Sequence, residues 1–181
     1  LIACVALLCL SACGGASSST SAPAPSSQAQ PASTSEAASV PAASSTAPAG
    51  DGVDLDAALA ELVTAAELGG TIAVSEIDLK AGGVDVANVE SFAGAQSQLA
   101  AQNGGIVIII KAVSGTADTV AADLESFREY SLGNADYEEF EDARNNTESG
   151  IIKTYGDIVV YAVSATGDAD GMTAAADAQF A

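Results

Sequence analysis

Histidine and tryptophan are absent from this 181-residue chain, and its bases number only five. Without histidine there is no member for a Ser-His-Asp or Cys-His catalytic group, a histidine-bearing zinc site or a zinc finger. Three of the bases are lysines, and none stands in a Ser-x-x-Lys ahead of a helix, which removes a Ser-Lys dyad. Neither Gly-x-x-x-x-Gly-Lys nor Gly-x-Gly-x-x-Gly occurs, so nucleotide binding has no signature. The Gly-Gly pairs at 69–70, 82–83 and 104–105 flank expected elements and read as turns.

Cysteine occurs only at Cys4, Cys9 and Cys13. Leu1 to Leu10 carries no charge and fits the apolar region of a secretory signal peptide; a spanning helix would need roughly twenty apolar residues. The chain opens on Leu1 rather than Met, which leads us to expect an upstream segment with the usual positive charges. Leu10-Ser11-Ala12 is a small-residue cleavage site, and ordinary signal peptidase has no need of the cysteine that follows it. Leu10-Ser11-Ala12-Cys13 resembles the lipobox of bacterial lipoproteins. The resemblance implies a signal peptide over 1–12 and a mature chain beginning at Cys13. It also implies a diacylglycerol on the Cys13 thiol and a further acyl chain, such as palmitate, on its amine. Anchorage at the outer face of a bacterial cell membrane follows. With Cys4 and Cys9 removed and Cys13 lipidated, the domain that remains has no free thiol and no disulfide, and must be stable from its core alone.

Residues 14–50 are almost wholly Ser, Ala, Thr, Pro and Gln, with one acid and no aromatic residue. Such a stretch buries too little apolar surface to offset its chain entropy, so 13–50 is expected to be a disordered linker behind the lipidated cysteine. As a random coil it spans roughly 35 Å, and fully extended on the order of 120 Å. Residues 51–181 are long enough for one domain with a real core and too short for two, which argues against a two-lobed solute-binding protein. This part holds all five bases and every acid but Glu36, 23 acids against 5 bases for a net charge of −18. Nucleic acid and anionic lipid would be repelled, whereas cations, basic proteins and neutral glycans would not.

Leu55, Leu59, Leu62, Val63 and Ala66 form one apolar stripe of a first helix, with Asp54 as N-cap and Gly69 beyond its end. Thr71 to Leu79 reads as a strand with a bulge between Val74 and Ile77, Val84 to Glu90 as a helical turn, and Phe92 to Leu99 as a weak strand of small residues. Ile106 to Ile110 is a continuous apolar run, as in a strand at mid-sheet. A helix from an N-cap at Thr116 places Val120, Leu124 and Phe127 on one face and ends near Gly133; Tyr137, Phe140 and Ala143 suggest a further short one. Ile151 to Tyr155, Gly156-Asp157 and Ile158 to Val163 make a two-residue hairpin, and a last helix over Asp170 to Phe180 buries Met172, Ala176 and Phe180. The expectation is an α+β, two-layer domain: a mainly antiparallel sheet of four to five strands with helices on one face.

These pieces resemble an uncharacterised family of Gram-positive surface lipoproteins, domain-of-unknown-function family 4358. The match rests on the lipobox and tether, on Gly105-Ile106-Val107-Ile108-Ile109-Ile110-Lys111-Ala112 with the helix after it, and on Asp136-Tyr137. It continues through Ser149-Gly150-Ile151-Ile152 and Tyr155-Gly156-Asp157-Ile158-Val159-Val160. It spans most of 53–180, fits loosely over the first strand and Gly82–Leu99, and departs from the family at Ile158, where many relatives have an aromatic residue. The family brings no catalytic residue to carry over.

Carboxylates are the remaining source of chemistry. Glu138, Glu139, Glu141, Asp142 and Glu148 form a dense acidic stretch with Glu138 and Asp142 one helical turn apart. Paired carboxylates serve glycoside hydrolysis or calcium binding, but hydrolysis also calls for sugar-stacking aromatics, and a solvated helix face is the plainer reading. Asp168-Ala169-Asp170-Gly171 lacks the later ligands of a calcium loop and reads as a turn leading into a helix. Asn145-Asn146-Thr147 is a formal glycosylation sequon that a bacterial setting makes coincidental. The sequence thus leads us to expect a lipid-anchored, non-enzymatic domain without cofactor or metal, binding an unknown protein or envelope partner and no nucleic acid. The alternatives are a cation-dependent or carboxylate-based module and an accessory subunit of an envelope or transport complex.

Overall fold

A computed structural model describes residues 52–134 and 138–181. The expectations placed on residues 1–50, Cys13 among them, and on Asp136-Tyr137 lie outside the described residues. Asp54 caps the first helix, α1 (Leu55–Ala65), its carboxylate accepting from the Asp56 and Ala57 amides at 3.1 Å each. The chain continues through β1 (Thr71–Ala73), α2 (Glu76–Ala81), β2 (Val89–Ser97), α3 (Ala100–Asn103), β3 (Ile106–Ala112) and α4 (Ala117–Asn134). It ends with α5 (Glu141–Ser149), β4 (Ile151–Tyr155), β5 (Ile158–Val163) and α6 (Ala169–Phe180). The five strands form one antiparallel sheet in the order β1-β2-β3-β5-β4.

The α+β class, the antiparallel sheet and the Gly156-Asp157 hairpin are as the sequence led us to expect. The expected two layers with helices on one face are corrected, because helices cover both faces of the sheet. Side chains alternate along a strand, so β3 sends Ile106, Ile108 and Ile110 to one side and Val107 and Ile109 to the other. The first set packs with Val159, Tyr161 and Val163 of β5 under Leu79 of α2 and Val120, Leu124 and Phe127 of α4. The second packs with Ile158, Val160 and Ala162 under Ala58 and Leu62 of α1 and Met172 and Ala176 of α6. A strand buried on both sides has no polar alternation, which is why 106–110 and 158–163 are unbroken apolar runs.

The expected long first strand is cut short. Only Thr71–Ala73 pairs, with Ser97–Ala95 of β2, and Ile77 and Leu79 fall in helix α2 rather than beyond a bulge. Ser75 and Asp78 make a capping box: Asp78 Oδ2 accepts from the Ser75 amide at 2.7 Å, and Ser75 Oγ accepts from the Asp78 amide at 3.3 Å. The turn between Val84 and Glu90 is a 3-10 helix over Val86–Asn88. Thr116 takes the N-cap position of α4, its carbonyl accepting from Val120, while its hydroxyl turns to the Val113 and Asn88 carbonyls. Helix α4 runs through Gly133 to Asn134.

Two glycines set how closely the helices around one end of the sheet approach. A Cβ on Gly82 would lie 2.0 Å from the Phe127 ring, so the bare backbone after α2 lets α4 seat that ring against the sheet. Gly104 has φ +69°, and a Cβ there would meet the Ala143 carbonyl oxygen at 2.6 Å and Thr147 Oγ1 at 2.7 Å. Its missing side chain brings the end of α3 against α5.

Candidate interaction cleft

A concavity of about 280 Å3 lies beside the close approach at Gly104. Its lining comes from four stretches of chain, 78–81, 96–106, 127–134 and 140–147. Asp78 and Ala81 of α2 face Phe127, Tyr130, Ser131 and Asn134 of α4. Ala100, Ala101 and Gly104 bring in α3, while Phe140, Ala143 and Thr147 bring in α5 and the 3-10 turn before it. Gln96 and Ile106 form the floor, directly paired across β2 and β3. Phe127, Ala143 and Ile106 are buried, whereas the Tyr130 ring stands 51% exposed at the mouth.

Asp78 is the one charged side chain in this lining, and its first role is structural. Its Oδ2 accepts from the Ser75 amide and from the Ser75 hydroxyl at 2.6 Å, which fixes the carboxylate to the start of α2. The Ser131 hydroxyl donates to the Phe127 carbonyl at 3.0 Å, inside its own helix. The lining offers a mainly apolar surface that an apolar group could contact.

The acidic stretch is not gathered into one site. Glu138 begins the 3-10 turn Glu138–Phe140, and Asp142 lies in the first turn of α5, so the expected single helix through both is broken. Glu139, Glu141, Asp142 and Glu148 are exposed, and Glu148 accepts from Arg144 Nε at 3.1 Å. Among the described residues no group of three or more acids is placed to hold a metal ion. Asp168 caps α6 by accepting from the Gly171 amide at 2.8 Å, the helix-opening turn that its spacing implied. Asn145 of the sequon is exposed, and the Asn146 side chain donates to the Asn103 and Ala165 carbonyls at 3.0 Å, tying α5 to the end of α3 and to the loop after β5.

All five bases stand beside acids: Lys80 with Glu76, Lys111 with Glu90, Arg128 with Glu125, Arg144 with Glu148 and Lys153 with Asp177. The last pair belongs to a polar cluster linking the hairpin to α6. Asp177 Oδ1 accepts from Lys153 Nζ at 2.5 Å and from the Tyr155 hydroxyl at 2.6 Å, while the Tyr155 ring packs against Phe180 at 5.6 Å. The hydrogen bond from Lys153, then that from Tyr155, holds the Asp177 carboxyl below the usual carboxylate range. Lys153 is raised above the ordinary lysine value, chiefly by its hydrogen bond to Asp177. Both side chains are partly exposed, and the cluster reads as a surface clasp.

The cleft was not anticipated from the sequence. Its single foreshadowing was Phe127 in the apolar stripe of α4 followed by Tyr130, which lies on the same side of the helix three residues on. The class that the fold and cleft define is an α+β domain with a five-stranded antiparallel sheet and a small, mainly apolar recess at one end. Comparison with protein-family models, with curated proteins and with solved structures gave no match. No helix among the described residues is long and apolar enough to cross a membrane.

Proposed function

We propose that this chain is an extracytoplasmic lipoprotein, held at the outer face of a bacterial cell membrane by lipid on Cys13. It displays a small, acidic, non-catalytic domain for interaction with a protein or ligand. The observation that carries this reading is Leu10-Ser11-Ala12-Cys13 directly behind an uncharged apolar run and directly ahead of a Ser/Ala/Pro-rich stretch. A single acyl chain binds membranes only marginally, whereas a diacylglycerol with an added acyl chain buries enough methylenes, at about 0.8 kcal/mol each, for lasting anchorage.

The linker has a physical purpose in this arrangement. A domain with net charge −18 is repelled by anionic lipid within a Debye length of about 8 Å, and the 37 residues of 14–50 are long enough to let it stand beyond that range. The resemblance to family 4358 belongs to the same proposal and rests on the β3 run and the β4–β5 hairpin. The recess between α2, α3, α4 and α5 supports an interaction role, because it presents apolar surface.

Cys13→Ala tests the anchor. Fractionation of cells expressing the full chain should move it from the detergent-rich to the aqueous phase, and retention with the membrane lipids would refute lipid attachment. In-cell crosslinking from a photoreactive residue in place of Leu99, which is exposed beside the cleft, tests the interaction role. Adducts of discrete mass are expected, and their absence would count against it.

A further inference from the structure

Three features of the cleft bear on what enters it. At about 280 Å3 it stands at the small end of the roughly 300–1,000 Å3 of small-molecule sites, with room for one anchoring side chain at an interface. Its apolar character continues outside. Ile72 is 52% exposed opposite Gln96 in the β1–β2 register, and Leu99, 59% exposed, immediately precedes Ala100. With Tyr130 they leave apolar groups in solvent around the recess.

Charge supplies the third feature. Helix α2, the second half of α4 from Glu125, Glu139 and helix α5 together hold eight acids and three bases. Each of those bases is neutralised by an acid of its own helix: Lys80 by Glu76, Arg128 by Glu125 and Arg144 by Glu148. An acidic segment approaching the cleft would meet like charge on every wall but α3, whereas a basic one would be drawn to it.

We infer that the cleft captures a short basic segment of a partner protein, one of whose apolar or aromatic side chains fills the recess while its lysines or arginines lie over the acidic walls. The inference deepens the interaction role proposed above and rests on it. The apolar anchor supplies the lasting contact, and the flanking cations supply attraction and the choice of partner. Ionic strength therefore weakens capture, while filling the recess removes the gain from the anchor.

The chain's lack of tryptophan makes the test direct. A short lysine-rich peptide with one central tryptophan is titrated with the full chain in a neutral detergent, against a blank of micelles alone. A saturable blue shift of the peptide's emission is expected. Replacing the tryptophan by serine or the lysines by glutamates should weaken binding at least about tenfold, the last two peptides being read by anisotropy of a dye label. Ala101→Phe, at an exposed α3 position in the cleft lining, should cause a similar loss with melting temperature and circular dichroism unchanged.

Absence of a saturable shift, equal affinity for the glutamate peptide, or indifference to Ala101→Phe would overturn the inference, the last by showing attachment elsewhere on the acidic surface. Crosslinks from position 99 that persist to an acidic or neutral partner would overturn the basic segment alone and leave the interaction role standing. Loss of all crosslinks would overturn both.

Discussion

Removing one oxygen from the middle of the sheet should stabilise this domain. Tyr161 lies on β5 with its side chain fully buried between the sheet and α4, and its ring meets Phe127 edge-on at 5.9 Å and 64°. Its hydroxyl is buried and has no hydrogen-bond partner among the described residues. Burial pushes the phenol well above the ordinary tyrosine range, against a smaller opposing pull from the Arg128 guanidinium, so it stays protonated wherever the fold stands. A buried hydroxyl without a partner costs about 1–3 kcal/mol in lost hydration, whereas phenylalanine keeps the ring and both of its packing surfaces. Tyr161→Phe should therefore gain about 1 kcal/mol, which for a domain of this size raises Tm by about 3–5 °C. Urea unfolding of the full chain, followed by circular dichroism, should show a higher midpoint with an unchanged slope. Tyr161→Leu separates the two contributions, since it removes the hydroxyl but also the aromatic contact and should fall below Tyr161→Phe. A loss of more than about 0.5 kcal/mol in Tyr161→Phe would show that the hydroxyl has a partner and that the reasoning is wrong.

Three further outcomes follow from the two-sided core and the charge distribution. Leu62→Ala in α1 and Leu124→Ala in α4, both fully buried and on opposite faces of the sheet, should each cost about 2–5 kcal/mol in urea unfolding. A near-neutral result for either would mean that its face is not a core. Asp177 has a lowered pKa, so its contribution is present above the unfolded-state value and fades as pH falls through the folded one. Asp177→Asn should thus lower Tm at pH 7 and leave it closer to the parent near pH 3; an equal deficit at both would separate the effect from ionisation. Raising salt from about 0.05 M to about 1 M shortens the Debye length to roughly 3 Å, which should raise Tm by screening 18 uncompensated negative charges. A fall in Tm would mean that the five ion pairs outweigh self-repulsion.

Local signals with their own chemistry carried through to the fold. Asp54 before an apolar stripe gave α1, and Gly156-Asp157 between two β-branched runs gave the hairpin with its register. Helix α2 was hidden because it is a six-residue segment whose capping box uses Asp78 where Glu or Gln is usual, so Ile72, Val74, Ile77 and Leu79 mimic an imperfect strand. Helix α3 is shorter still, and Ala100-Ala101-Gln102-Asn103 has no periodicity to read. The placement of helices on both faces was implicit in the unbroken runs at 106–110 and 158–163, which one-sided burial would have made alternate. The cleft was not legible at all. It depends on how four stretches of chain meet, with the bare Gly104 of the lining bringing α3 against α5.

The central claim concerns Cys13, and the mature N-terminus tests it most directly. Mass spectrometry of the N-terminal peptide, from chain extracted out of membranes of a bacterium that expresses it, should find a peptide beginning at Cys13. Its mass should exceed that of the bare sequence by a diacylglyceryl group, with or without a further acyl chain, and Cys4 and Cys9 should be missing. A mature chain that begins elsewhere, or an unmodified Cys13 in membrane-held protein, would contradict lipid anchorage.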